Sequence, residues 1–363
     1  MAQQPHPGLP HPGVLHADQT PPNPSNAGPL HNGPSRRAVL AAASAWLGAA
    51  AIPTVAPTTS HAQPAGAPWH LLCSGPPGSI PDTVARRVAE QLGTAGGQRV
   101  IVDNRAGAAG QLAVASLKTS PPDGNTLLLA QGAIATFYPA LYPKLAYDPL
   151  LDLTPVSVAG EMTLALAVGP AVPPQVANLA DLLAWLRSHP AQANIGSPGT
   201  GTLPHLLAAL LLRDAAVPWQ HIAYSGGPPA MVALLGGQIA ALVLPEGLFS
   251  QHRASGRLRV LATSGAQRSA LLPDVPTLAE QGQPGLVLRE WFGFFLPGRV
   301  APDLVDARAQ ALRQALAQPA LVAAFADAGM VATSSTPAEM VARISTERRR
   351  WEPVIRTLGV QVE

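Results

Sequence analysis

Residues 196–202 read Gly-Ser-Pro-Gly-Thr-Gly-Thr and join a short predicted strand, Asn194–Gly196, to a strongly apolar predicted helix, Leu203–Leu212. Glycine lets a backbone come close to a ligand, and the first N–H groups of a helix have no partner within it. The positive end of the helix dipole lies at the same place and attracts an anion. This stretch therefore predicts an anion-binding turn at a strand–helix junction of an α/β fold.

Two more loops share this design, residues 75–79 (Gly-Pro-Pro-Gly-Ser) and 224–228 (Tyr-Ser-Gly-Gly-Pro), and each precedes a predicted helix. Ser79 suits the N-cap of its helix, and Asp82, three residues later, completes an acidic variant of the capping box. The loop hydroxyls add further hydrogen-bond donors, which belong to Ser79, Ser197, Thr200 and Thr202. Such loops predict a pocket that holds a carboxylate without using an arginine.

Nucleotide-binding and catalytic motifs are missing from the sequence. Residues 196–202 lack the lysine of a phosphate-binding P-loop, and neither Lys118 nor Lys144 is near them. A Gly-x-Ser-x-Gly elbow is absent, and no order or context supports a triad of Ser197, His205 and Asp82. His205 either donates to a ligand or caps its helix, and Asp82 fits a helix cap better than an acid catalyst.

Composition narrows the class of protein. The 363 residues are 47% hydrophobic and 12% charged, so the chain can bury a full core in two domains or one large one. A net charge of +2 argues against nucleic-acid binding. Cys73 is the single cysteine, which excludes an intrachain disulfide.

Strand and helix patterns alternate along the chain from Trp69 onward, which predicts an α/β fold on a largely parallel sheet. Near the carboxyl end, residues 302–328 and 337–358 predict two longer helices.

The first 62 residues differ from the rest. Residues 1–34 are rich in proline and lack apolar periodicity, which predicts a disordered tail. Arg36 and Arg37 precede an uncharged apolar stretch that is too short to span a membrane, and Ser60-His61-Ala62 offers a cleavage site. Residues 35–62 therefore predict a twin-arginine export signal cleaved after Ala62, with the mature protein in the periplasm.

From about residue 69 onward the chain resembles the solute receptors of tripartite tricarboxylate transporters, the Bug-type or TctC-like family. No single motif is specific, but the ordered set is. The matching segments are Pro77-Gly78-Ser79 with 82–86, 103–107, 122–124, 139–142, 147–149, 196–201 with His205, 234–238, 272–277 and Trp291-Phe292-Gly293.

The resemblance implies a type II periplasmic binding protein fold, with two α/β lobes, a hinge and an interlobe cleft. It implies lobe 1 at 69–163 plus 264–363 and lobe 2 at 164–263. It also implies ligand contacts from Ser79, Ile80, Asp82, Gln131, Ala133, Ser197, Thr200, Gly201, Thr202, His205 and Tyr224.

The expected function is capture of a small organic carboxylate for a membrane transporter that the closed receptor contacts transiently. No cofactor, no metal and no catalysis are expected, and the receptor should be a monomer. A binding protein that presents its ligand to a signalling partner, or a periplasmic hydrolase on the same scaffold, is the alternative. The sequence departs from the family at Leu244-Pro245-Glu246, where an aspartate often follows the strand, and this argues against recognition of a ligand amino group.

Overall fold

The structure, a computed structural model, describes residues 67–359 and residue 362. The tail, export signal and cleavage site expected in residues 1–62 lie outside the described residues. Eleven α-helices occur in the described part of the chain. They are α1 Ile80–Gly96, α2 Gln111–Lys118, α3 Tyr138–Leu141, α4 Pro149–Asp152, α5 Leu179–Ser188, α6 Leu203–Asp214, α7 Gly227–Leu235, α8 Glu246–Ser250, α9 Pro302–Leu316, α10 Pro319–Asp327 and α11 Pro337–Leu358.

The strands of the described region form one curled, 10-stranded sheet whose main path has the order β2-β1-β3-β9-β4-β7-β5-β6, while β8 and β10 pair with β4 off this path. They are β1 Trp69–Cys73, β2 Val100–Asn104, β3 Thr126–Gln131, β4 Leu153–Val168, β5 Asn194–Ser197, β6 Gln220–Ala223, β7 Ala241–Pro245, β8 Arg259–Thr263, β9 Arg289–Pro297 and β10 Met330–Ala332.

Strand β4 belongs to both halves of the molecule. Its first part pairs antiparallel with β9 as far as the pair Thr163↔Arg289, and with β10. From Leu164 onward its partners are β7 and β8. The sheet therefore changes from one group of strands to the other between Thr163 and Leu164, within a single continuous strand.

A buried serine forms hydrogen bonds to the chain at the same crossing. Ser264 is fully buried, directly after β8, and its hydroxyl donates to the carbonyl of Leu288 at 2.7 Å. The same oxygen accepts from the N–H of Leu164 at 3.0 Å, and the Ser264 N–H donates back to the Leu164 carbonyl at 2.8 Å. Ser264 thus connects the two segments that pass between the halves, at Leu164 and at Ser264 itself, with the start of β9 after Leu288.

Helices cover both faces of the sheet, and apolar clusters fill the space between. Helices α1, α9 and α10 pack on one face of the first half, with Val84, Val88 and Phe325 in that core. The second half has its own cluster under α7, around Leu242 and Phe249. This arrangement leaves the ends of β1, β5 and their following helices facing the space between the halves.

Two features differ from the sequence-based expectation. Residues 302–328 are two helices, because Pro319 restricts Gln318 to an extended conformation (φ −68°, ψ 130°) and ends the first helix. The sheet is mixed, since β4 and β9 pair antiparallel with their neighbours. Across the described residues, no helix combines the length and the apolarity needed to cross a lipid bilayer.

Candidate functional site: a cavity between the two lobes

A cavity of about 610 Å³ lies between the two halves of the sheet. This volume is in the range of small-molecule sites. Its wall comes from the first half through the loops after β1, β2 and β3, and from the second half through the loops after β5, β6 and β7. The two halves are therefore lobes that share one site at the carboxyl ends of their parallel strands.

The loops before α1 and α6 have the same hydrogen-bonding geometry. Ser79 Oγ donates to the Pro76 carbonyl at 2.6 Å, and Thr202 Oγ1 donates to the Gly199 carbonyl at 2.7 Å. In each loop the backbone N–H of the same residue donates to the same carbonyl, at 3.1 and 3.3 Å. Neither hydroxyl caps its own helix, so the capping box expected for Ser79 and Asp82 is wrong.

The residue before each of these serine or threonine positions is a left-handed glycine. Gly78 has φ +78° and Gly201 has φ +79°, a conformation that costs a residue with a Cβ. The N–H of Gly78 donates to Asp82 Oδ2 at 2.9 Å, and the N–H of Gly201 donates to His205 Nδ1 at 3.0 Å. A side chain four residues later thus holds each loop in place, with a carboxylate in one lobe and an imidazole in the other.

This geometry leaves the first helical amides without partners. The N–H groups of Ile80 and Asp82 at the start of α1 have no acceptor within the described residues, and the same holds for Leu203 and His205 in α6. Their helix dipoles add positive potential at the same points. Each lobe therefore presents a helix start whose N–H groups are free to donate hydrogen bonds to a negatively charged oxygen.

The third loop brings α7 to the same cavity and touches the opposite lobe. Gly226, with φ +103°, binds the Pro198 carbonyl through its N–H at 3.0 Å. A Cβ added there would lie 3.1 Å from Pro76 Cγ, across the gap between the lobes. On the other side, Tyr142 Oη donates to the Thr200 carbonyl at 3.2 Å. The lobes are in contact at both ends of the cavity wall.

Gln131 organises the floor of the cavity in lobe 1. It accepts from Ser74 Oγ at 3.0 Å, and its Nε2 donates to the carbonyl of Ala109. Ala108 and Ala109 both have positive φ, and the hydroxyl of Tyr138 also binds the Ala109 carbonyl at 2.9 Å. These bonds stabilise a strained backbone turn against the cavity.

Some of the site residues predicted from the sequence line the cavity, and others do not. Those in its wall are Ser79, Ile80, Gln131, Thr200, Thr202 and Tyr224. Asp82 is turned away and binds Arg86 and Asn104 as well as Gly78. Gly201 lies behind Thr200 against Tyr142, and Ala133 lines a second cavity of about 280 Å³ on the far side of β9.

Ser197 and His205 lie beneath the α6 loop rather than in the cavity wall. The His205 ring stacks on the His221 ring with centroids 3.7 Å apart, and His221 Nε2 is 2.8 Å from Ser197 Oγ. Burial, with a contribution from His221, lowers the pKa of His205 to about 3, and burial lowers the pKa of His221 to about 4. Both rings are neutral at pH 7, and His205 acts as an acceptor for the loop.

Several cavity residues were not predicted from the sequence. The loop after β2 contributes residues 106–111, although only residues 103–107 were recognised as a motif. Lys144 is the one cationic side chain in the described wall, which contains no arginine. Glu290 is its one acidic side chain. A lone glutamate beside an apolar run, residues 291–297, was the signal in the sequence that could have identified it.

Glu290 is a carboxyl group without a charged partner. It is 8% exposed, and none of the hydrogen bonds or ion pairs found among the described residues uses its side chain. Burial raises its pKa to about 8. Unlike Glu290, Glu246 does not line the cavity. It also has a hydrogen-bond partner, because its Oε1 accepts from Ser269 Oγ at 2.8 Å.

A mixed α/β sheet divided into two lobes around a ligand-sized cavity defines the class of periplasmic binding proteins, and solved structures agree. The periplasmic binding protein BugD superposes with a TM-score of 0.76 at 25% identity, over 82% of this chain and 99% of that one. MatC from Rhodopseudomonas palustris with bound malate gives 0.74 at 28% identity, over 79% and 98%. A second R. palustris protein, with adipate, gives 0.76 at 27% identity, over 80% and 97%.

The chain belongs to the tripartite tricarboxylate transporter receptor family, whose family model matches residues 84–360. A similar relative is protein BugT of Bordetella pertussis, 33% identical over 309 residues, which are 85% of this chain and 94% of BugT. The resemblance found in the sequence is confirmed, as is the type II fold. The family model describes a transporter receptor, and the solved neighbours named above are a periplasmic binding protein and two proteins with a bound dicarboxylate. In the described part of the chain, no group of three or more His, Cys, Asp or Glu is placed to hold a metal ion.

The buried histidine pair makes stability depend on pH in a defined direction. Well above pH 6.5, the ordinary pKa of histidine, both rings are neutral in the folded and unfolded states and contribute no slope. As the pH falls from 6.5 to about 4, the two histidines bind protons in the unfolded chain but not in the folded protein, so the free energy of unfolding falls. We expect His221→Gln to reduce this slope by up to about 1.4 kcal/mol per pH unit relative to the wild type, with the full difference reached near pH 5.

Urea denaturation at pH 7, 6 and 5 measures this effect. The difference between wild type and variant isolates the histidine pair, since groups that do not interact with His221 titrate equally in both. His252→Gln, at an exposed position, is the matched control and should leave the slope unchanged. Equal slopes for His221→Gln and the wild type would contradict the assignment.

Proposed function

We propose that this protein is a periplasmic receptor that captures a small carboxylate between its lobes and delivers it to a tripartite tricarboxylate transporter in the membrane. The observation that carries the proposal is the pair of equivalent helix starts, since Ser79 and Ile80 of the α1 start and Thr202 of the α6 start line the same cavity. The first amides of both helices have no partner among the described residues. Two carboxylate oxygens, or two carboxylates of one ligand, satisfy amides from both lobes at once.

The comparisons support the same class of ligand. MatC is described with bound malate and a second solved relative with adipate, and both are dicarboxylates. For this chain, we propose contacts from the cavity-lining residues Ser79, Ile80, Gln131, Thr200, Thr202 and Tyr224, with the unpartnered amide of Ile80 among the donors. Because the hydroxyl hydrogens of Ser79 and Thr202 bind loop carbonyls, backbone N–H groups are the main donors.

We propose lobe boundaries at 163/164 and 263/264, so that lobe 1 is 69–163 with 264–363 and lobe 2 is 164–263. The change of partners along β4 and the position of Ser264 support both boundaries. Closure by rotation about these crossings brings Pro76 against Gly226 and Tyr142 against Thr200. The receptor acts as a monomer that meets the transporter in its closed form.

A ligand screen tests the proposed function directly. Refolded, ligand-free protein is heated with succinate, malate, adipate, citrate and, as neutral controls, the corresponding amides. A carboxylate at a hundred times its dissociation constant should stabilise the fold by about 2.7 kcal/mol, seen as a higher melting temperature. If no carboxylate stabilises the protein, or if the amides do so equally, the proposal is wrong.

Gly226→Ala tests whether closure across the cavity is part of binding. The new Cβ would lie 3.1 Å from Pro76 Cγ and hold the lobes apart, so we expect roughly tenfold weaker carboxylate binding, ~1.4 kcal/mol. Gly256→Ala is the matched control, because Gly256 also has positive φ (+65°) but no atom within 4 Å of an added Cβ. Calorimetric titration of all three proteins decides the matter, and equal affinities would exclude this closure.

We propose that residues 35–62 are a twin-arginine export signal cleaved after Ala62, which would place the receptor in the periplasm. The paired Arg36 and Arg37 support this route. Replacing both with lysine should leave the full-length chain in the cytoplasmic fraction. Mass spectrometry of the wild-type periplasmic protein should show Gln63 as the first residue, and a different terminus would move the cleavage site.

A further inference from the structure

Glu290 lines the interlobe cavity, although every other feature of that wall favours an anion. The described wall contains three helix starts, Lys144 and no other acidic side chain. A charged carboxylate at this place would repel the anion that the helix starts attract. The carboxyl group therefore needs either a cationic partner or a proton.

The surrounding structure supplies no cationic partner. On the other face of β9, Arg343 binds Glu161 and Glu347, and Arg289 is paired with Glu161 at 3.6 Å. Arg350 lies with them in the second cavity, where its guanidinium donates to the Val287 carbonyl at 3.4 Å. The groups toward the first cavity are Tyr138, Tyr142 and the exposed Lys144. None of these forms a hydrogen bond or ion pair with Glu290 within residues 67–359.

Burial of the Glu290 carboxyl group favours its protonated form. Glu290 is only 8% exposed. It lines both cavities, and its side chain forms no bond with either wall. An unpaired buried carboxylate is so costly that such a group takes up a proton instead. In agreement, burial raises the pKa of Glu290 to about 8. The neutral group has one O–H donor, and no hydrogen bond found among the described residues uses the Glu290 side chain.

We propose that Glu290 is a specificity-determining residue that donates a hydrogen bond from its protonated carboxyl group to a carboxylate of the ligand. The inference rests on the proposed function and narrows it to acids that keep an anionic oxygen at this point of the cavity. Below the pKa of Glu290 the free receptor already carries the proton, and the ligand binds without further uptake. Above it, one proton is taken from water for each ligand bound.

The same geometry defines how affinity depends on pH. At pH 7 most free receptors have a protonated Glu290, whereas at pH 9 about one in eleven does, so the dissociation constant should rise about tenfold. Glu290→Gln keeps the size of the side chain and an N–H donor but cannot lose a proton. We expect it to bind within about threefold of wild type at pH 7 and to show no change between pH 7 and 9.

Calorimetric titration with the best-binding acid of the succinate, malate, adipate and citrate panel makes the measurement. Glu246→Gln is the matched control, because Glu246 is also buried with a raised pKa but lies outside the cavity wall. It should keep the tenfold change. In two buffers of different ionisation enthalpy at pH 8, wild type should take up about half a proton per ligand, and Glu290→Gln none.

The outcomes separate the two proposals. If an acid binds but affinity is the same at pH 7 and pH 9, or if Glu290→Gln keeps the pH dependence, the role of Glu290 is wrong while the receptor function stands. If affinity improves toward pH 9 and Glu290→Gln abolishes binding, Glu290 is an anion that holds a ligand cation. If no acid binds at all, the proposed function fails.

One measurement needs no ligand. Infrared difference spectra of wild type minus Glu290→Gln at pH 7 should contain the C=O band of a protonated carboxyl group, and this band should disappear above pH 9. An ionised carboxylate band at pH 7 would overturn the proposal independently of any binding result.

Discussion

The site depends on a hydroxyl group that bonds backward into its loop instead of forward into its helix. Ser79 and Thr202 each donate to a carbonyl three residues earlier, which closes the loop and leaves the first helical N–H groups unpaired. An ordinary N-cap would satisfy one of those N–H groups itself. With the hydroxyl in this other role, the helix starts remain available to a ligand. The same arrangement occurs in both lobes, and residues of both helix starts, Ile80 in one and Thr202 in the other, line the same cavity.

The sequence predicted this design in outline but not in detail. Glycine and hydroxyl patterns identified the loops, and an ordered set of weak motifs identified the family, because these are local features. Asp82 and His205 were expected near the ligand as side chains, yet each binds the glycine N–H four residues earlier. That bond depends on the left-handed φ of Gly78 and Gly201, and a sequence pattern does not reveal on which side of a loop a side chain falls.

The parts of the fold that sequence patterns missed are those in which distant segments meet. Strand β9 reads as a continuous apolar run, and only its pairing with β3 and β4 shows that it makes the sheet mixed. Glu290 becomes part of the cavity for the same reason, since β9 carries it between two cavities. The cavity wall therefore combines backbone amides that attract negative charge with a buried acid, Glu290, that must stay uncharged beside them.

Strand β4 has a mechanical consequence for a protein of this kind. Because it runs unbroken through Thr163 and Leu164, the lobes are joined by hydrogen-bonded sheet on both sides of the crossing, not by a slack linker. Separation of the lobes must wind or unwind this strand, and Ser264 ties the neighbouring segments to it. Movement of the lobes is therefore coupled to the twist of β4 at the crossing. Met162, which directly precedes Thr163, pairs with Glu290, so the same segment of strand lies beside the acid in the cavity wall.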